Sequence, residues 1–138
     1  TEYPSLRAGF TFVVQAYNAF QLADIARFCI EWKQRYPNWR EPFFGPVEQD
    51  WLSTAVLYPE DVVRILWELE EVDQEYPGND VVEGMYEIVR RFDDQRPIDK
   101  DAMRARWKSY TEMQDRVRAT DIRDVSGINF TRYFDEQF

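Results

Sequence analysis

Apolar positions recur along the chain at two periods, and prolines mark where one pattern gives way to the next. Residues 10–17 (FTFVVQAY) alternate as a strand does, a helix also fits, and the segment is read as extended. From Asn18, a candidate cap, Leu22, Ile25, Cys29, Trp32 and Tyr36 fall on one stripe. They predict a helix over about 19–36 that Pro37 ends. Residues 38–46 (NWREPFFGP) read as a loop, and Pro46 opens a short helix to about Leu57. Pro59 sits in the first turn of the next helix, where Glu60 and Asp61 suit the helix dipole. Val62, Ile65, Leu66, Leu69 and Val72 form its inward stripe, and it runs to about Gln74 before PGN at 77–79 breaks it.

A further helix is predicted over about 80–94 from Val82, Met85, Tyr86, Val89 and Phe92, and Pro97 stops it. The last long helix is predicted over about 99–121 from Met103, Trp107, Tyr110, Met113 or Gln114, and Val117. Gly127 separates it from an aromatic ending, GINFTRYFDEQF, expected to be extended. A solvated tail would not carry so much aromatic surface, so this segment must pack on its own chain or on another copy. The sum predicts an all-α fold. It is an antiparallel four-helix bundle with an additional inner helix and short extended terminal segments, in a single helical domain over 1–138. QRYP (34–37) and QEYP (74–77) echo each other as two similar helix ends.

Composition narrows the class. With 44% hydrophobic and 17% aromatic residues, the chain has the apolar surface that disordered chains lack. No run approaches the roughly 18 apolar residues of a membrane span, and no N-terminal signal pattern is read. The lone Cys29 makes no internal disulfide, and its place on the apolar stripe predicts a buried, inert thiol, fitting a reducing compartment. Without histidine, the common zinc sites and nucleophile–histidine catalysis are excluded.

Net charge is −9, unevenly spread. Residues 68–101 hold twelve acids and four bases, whereas residues 102–132 hold four acids and seven bases. In the acidic helix, Glu68, Glu71 and Glu75 share a face; with Glu83 and Glu87 they could hold Mg²⁺ for a hydrolase. A solvated face is the plain alternative. A third reading crowds Glu68, Glu70, Glu71, Asp73 and Glu75 at a subunit contact, where repulsion would make a pH-sensitive switch. The basic residues Arg104, Arg106, Lys108, Arg116 and Arg118 suit phosphate or simply solubility. RRFDD (90–94) reads as a phosphate and ribose clamp or as a local ion-pair network.

Taken in order, several motifs resemble the coat proteins of rod-shaped plant RNA viruses of the tobacco mosaic virus type. FTFVVQAYNAFQLADIARFC (10–29) is similar to the family's N-terminus through Phe10, Phe12, Ala16, Tyr17 and Cys29. Val47, Gln49 and Trp51 resemble its second slewed helix, and AVLYP (55–59) the opening of its right radial helix. RRFDD resembles a motif near RNA, and NFTRYFDE (129–136) the C-terminal signature. The chain departs from the family in lacking most of the outer loop between Trp51 and Ala55 and the apolar-Trp ending. Glu70, Glu71 and Asp73 stand where the family has arginines.

The resemblance implies no enzyme and no cofactor. It implies a capsid subunit that self-assembles into an open helical rod around single-stranded RNA, in the virion and in host cytoplasm during assembly, with no membrane partner. RNA would contact Arg104, Arg106 and Lys108, then Arg90, Arg91, Asp93 and Asp94. Phe10, Phe12, Phe130, Arg132 and Phe134 would pack at the outer radius. The acidic block at 68–101 would lie at low radius and repel when ionised, so rods would lengthen at mildly acidic pH and fall apart at alkaline pH. The alternative is an acidic helical interaction module, such as an immunity protein or a nucleic-acid-mimicking inhibitor.

Overall fold

The computed structural model describes residues 8–93, 99–126 and 128–135. It is mostly helical, with one two-stranded sheet. The ambiguous first segment divides: strand β1 (Thr11–Val14) is followed by a 3-10 helix (Ala16–Gln21) that leads into α1 (Leu22–Arg35). Strand β2 (Phe43–Pro46) lies parallel to β1, with Thr11 opposite Phe43 and Val14 opposite Pro46. A parallel pair needs a crossover, and α1 supplies it. Residues 38–46, expected as loop throughout, therefore end in a strand.

The short helix expected over 46–57 is not there. Two 3-10 turns, Asp50–Leu52 and Thr54–Val56, take its place. The Ser53 side chain accepts the Ala55 amide hydrogen and keeps the second turn tight. α2 (Pro59–Glu75) begins with proline in its first turn and Glu60 and Asp61 beside it. α1 and α2 end alike. Tyr36 and Tyr76 both leave the helical region, with φ near −127° and −133°, while still donating to Trp32 and Val72. Each precedes a proline, which disfavours the helical conformation for the residue before it. The echo of QRYP and QEYP is thus a repeated stop.

α3 (Asp80–Asp93) follows the turn at Gly78, whose φ of 72° suits glycine. α4 (Lys100–Arg118) is capped by Asp99, which accepts the Ala102 amide hydrogen at 3.0 Å. α5 (Ile122–Ser126) and α6 (Ile128–Asp135) complete the described chain. The tail expected to be extended is helical over 128–135. Phe130, Tyr133 and Phe134, spaced three and one apart, fall on one face and are buried. They pack against Trp107, and Phe130 also meets Phe20 edge-on. Phe130, Tyr133 and Phe134 are therefore covered by their own chain.

α1, α2 and α3 pack on one another, while α4 rests on the 3-10 turns and on α6. The inward face of α4 is Met103, Arg104, Trp107 and Thr111. Tyr110 is half-buried, and Met113 and Val117, expected on the inner stripe, are exposed.

Candidate nucleic-acid interface

Arg104 lies on the inward face of α4 and is only 6% exposed. Its Nε donates to the Val56 carbonyl at 2.7 Å and its Nη2 to the Leu57 carbonyl at 3.3 Å. Nη1 reaches Asp101 at 3.2 Å, and the guanidinium sits 4.2 Å from the centre of the Tyr58 ring. These carbonyls end the 3-10 turn before α2, and a buried carbonyl without a donor is costly. Arg104 satisfies them and offers no free fork to a phosphate. Its expected role as an RNA contact is corrected: it joins α4 to the entrance of α2. The signal was in the sequence, since Arg104 stands at helical spacing from Trp107 and Thr111.

A second arginine completes this junction. Arg132, on α6, lies 3.8 Å from the Tyr58 ring centre and pairs with Glu60. Hydrogen bonding from its own backbone amide, then from Arg132, holds the Glu60 carboxyl below the usual range. Tyr133 stacks on Tyr58 at 4.8 Å, accepts the Tyr58 amide hydrogen and donates to Asp61. Burial, then the Asp61 contact, pushes the Tyr133 phenol far above its ordinary value.

The aromatics expected to pack together at one outer radius separate into two clusters. Phe130 and Phe134 belong with Trp107 in the core. Phe10 and Phe12 form a second, partly exposed group: Phe10 meets Phe28, Trp32 and Trp39, and Phe12 stacks on Phe44 across the sheet.

Arg104, Arg106 and Lys108 do not converge. Arg106, two residues on, projects from the opposite side of α4 and is exposed. Its guanidinium lies 4.6 Å from the centre of the Trp51 ring, and Tyr110 meets that ring edge-on. Lys108 is half-buried. At the end of α3, the exposed Arg90 covers the Tyr86 ring at 4.5 Å and donates to its hydroxyl. Exposed Arg91 shares a shallow groove with Tyr86, Asp80, Glu83 and Glu87. Asp94 and the Asp93 side chain lie outside the described residues. Of the arginines expected at RNA, Arg106 with Trp51 and Arg90 with Tyr86 keep a cation–aromatic pair at the surface, as Arg35 with Tyr36 does outside that set. A cation beside an aromatic ring is the pairing that serves phosphate and base together in single-strand binding.

The five carboxylates expected to crowd are largely occupied. Arg27 grips Glu75 through Nε and Nη2 at 3.0 and 2.8 Å, which lowers the Glu75 carboxyl below its ordinary value. Crowding would have raised it. Glu68 pairs with Arg64 at 3.2 Å, and Asp73 accepts the Gly78 amide hydrogen. Glu70 and Glu71 are exposed. Glu68 and Glu75 are thus held by arginines of their own chain. Among the described residues, no group of three acidic or cysteine side chains is placed to hold a metal ion, so Glu68, Glu71 and Glu83 do not converge as a hydrolase would require.

Cys29 is buried, and desolvation pushes its thiol up to about 11, away from the reactive thiolate. Among the described residues, no helix is long and apolar enough to cross a membrane. None of the protein-family models, curated proteins or solved structures compared with the chain matches it.

Proposed function

We propose that the chain is the coat subunit of a rod-shaped RNA virus, a structural protein that assembles into an open helical particle around single-stranded RNA. Its α1, α2 and α4 stand for three helices of the tobacco mosaic virus-type bundle. The 3-10 turns over 50–56 replace the second slewed helix, and α3 is the additional inner helix. The observation that carries the reading is the outward apolar surface. Val63 and Trp67 on α2 and Met113 and Val117 on α4 are large side chains turned away from a core that takes up most of the others. Such surface marks contacts with other molecules, and its presence on separate elements, with Phe28 on α1 and Phe43 on β2 exposed as well, suits a subunit with more than one neighbour. The collinear sequence resemblance supports the same reading.

In this proposal the RNA contacts are Arg106 with Trp51 and Tyr110, and Arg90 with Tyr86, while Arg104 is left out. Few cations per subunit suffice because many subunits bind one strand. The carboxylate switch is left out too, since Glu68 and Glu75 already have arginine partners. The test is negative-stain electron microscopy of the purified protein at mildly acidic pH, with and without RNA. Rods or stacked discs are the expected result. A monodisperse small particle in every condition would sink the coat reading and favour an acidic module with one protein partner.

A further inference from the structure

We propose that subunits join through a contact of two unlike faces, in which α2 of one copy docks on α4 of the next. This deepens the coat reading and rests on its self-assembly half. On α2, Val63 and Trp67 are one turn apart, and 66% and 65% exposed. Helical spacing places Glu70 and Glu71 on the same outward face. On α4, Met113 and Val117 are likewise one turn apart, and 44% and 78% exposed. Arg116, three residues after Met113, stands exposed at the edge of this face. The two faces share a shape, an apolar pair one turn long, and have opposite charge.

That opposition selects the partner. Two α2 faces brought together would set Glu70 and Glu71 against their own copies. Two α4 faces would oppose arginine with arginine. Only α2 against α4 places carboxylates beside guanidiniums, and like-charge juxtaposition disfavours the wrong pairing. An interface between unlike faces leaves one of each unused at the two ends of every oligomer, so it propagates into a ring or an open helix. The occupant of each apolar face is therefore a second copy of this chain.

Analytical ultracentrifugation of the full chain without RNA tests the contact. Trp67→Asp removes one face and Val117→Asp the other, both at exposed positions, with circular dichroism to verify folding. Each variant alone is expected to be a monomer under conditions where the unaltered chain associates. An equimolar mixture is expected to form a 1:1 dimer and grow no further, because one variant keeps its α4 face and the other its α2 face. A second pair guards against misfolding: Glu70→Lys with Glu71→Lys abolishes association, and adding Arg116→Glu restores it.

An unaltered chain that stays monomeric, a single-face variant that still associates, or a mixture that stays monomeric overturns the contact. Rods on RNA that form as well from Trp67→Asp as from the unaltered chain overturn it too, while sparing the coat reading. The mixed dimer without any rods on RNA supports the contact and counts against the coat reading.

Discussion

The Tyr133 hydroxyl accepts the Tyr58 amide hydrogen at 2.8 Å, across a sequence separation of 75 residues. That bond ties α6 to the residue capping α2, and the same hydroxyl donates to Asp61 in the first turn. Tyr133→Phe keeps the ring and removes both bonds, leaving a partly buried amide without this acceptor. It is expected to cost about 1–3 kcal/mol, read from urea unfolding at neutral pH. The pH dependence follows from the raised phenol. Folded Tyr133 holds its proton more tightly than unfolded Tyr133, so its contribution is complete below the ordinary tyrosine value of about 10 and is lost as pH climbs above it. Unfolding followed from neutral to strongly alkaline pH should show a fall that Tyr133→Phe reduces.

Arg104 and Arg106 are expected to part company under mutation. Arg104→Lys cannot reach the Val56 and Leu57 carbonyls and the Asp101 carboxylate from one ammonium, and should destabilise the chain by about 1–3 kcal/mol. Arg106→Ala should change stability by no more than about 0.5 kcal/mol. In filter binding to single-stranded RNA, Arg106→Ala should weaken affinity and flatten the salt dependence. Folded Arg104→Lys should bind as the unaltered chain does.

The Arg27–Glu75 pair is expected to appear at the acid end. Glu75 titrates below its ordinary value because Arg27 holds its carboxylate. Its contribution is present above the usual glutamate range and disappears as pH falls through the lowered value. The pair is exposed enough for salt to weaken it. Arg27→Gln should flatten the acid limb of the stability profile at low ionic strength and do little at high salt, measured by thermal unfolding between neutral and acid pH.

Ala119 closes α4 in the left-handed region, at φ 55° and ψ 43°. A side chain with a Cβ is strained there, whereas glycine is not. After allowing for the greater freedom of glycine in the unfolded chain, Ala119→Gly should raise stability by about 0.5–1 kcal/mol. A midpoint shift in urea with an unchanged slope would bear this out, and a destabilised variant would contradict it.

The four long helices were legible because each keeps a stripe at spacings of three and four between proline or glycine stops. β2 was not, because FFGP has no alternation of its own and becomes a strand only when β1 lies beside it. The 3-10 turns over 50–56 depend on Ser53 and Arg104, the latter forty-eight residues away from Val56. α6 was readable, since Phe130, Tyr133 and Phe134 already share a helical face, but a glycine before an aromatic run reads as the start of a tail. At the candidate interface the residue types pointed to arginine on aromatic surface. Which arginine faced inward depended on the phase of α4, and Arg104 sits on the same stripe as Trp107. The stripe also outlasted the core, so Met113 and Val117 kept the pattern of buried residues at a surface position.

The parallel pairing of β1 with β2 sets an order of events during synthesis. Strand, crossover helix and returning strand all lie before residue 47, although α1 also packs on α2 and α3. They can meet while the rest of the chain is still unmade. The entrance of α2 is different: its closing contacts come from Arg104 and Tyr133, made long after Tyr58 has left the ribosome. A nascent chain can therefore pair its two strands early, while the entrance of α2 stays open until Tyr133 emerges. A stalled or shortened chain would expose Tyr58 and the faces meant for Trp107 and Phe130.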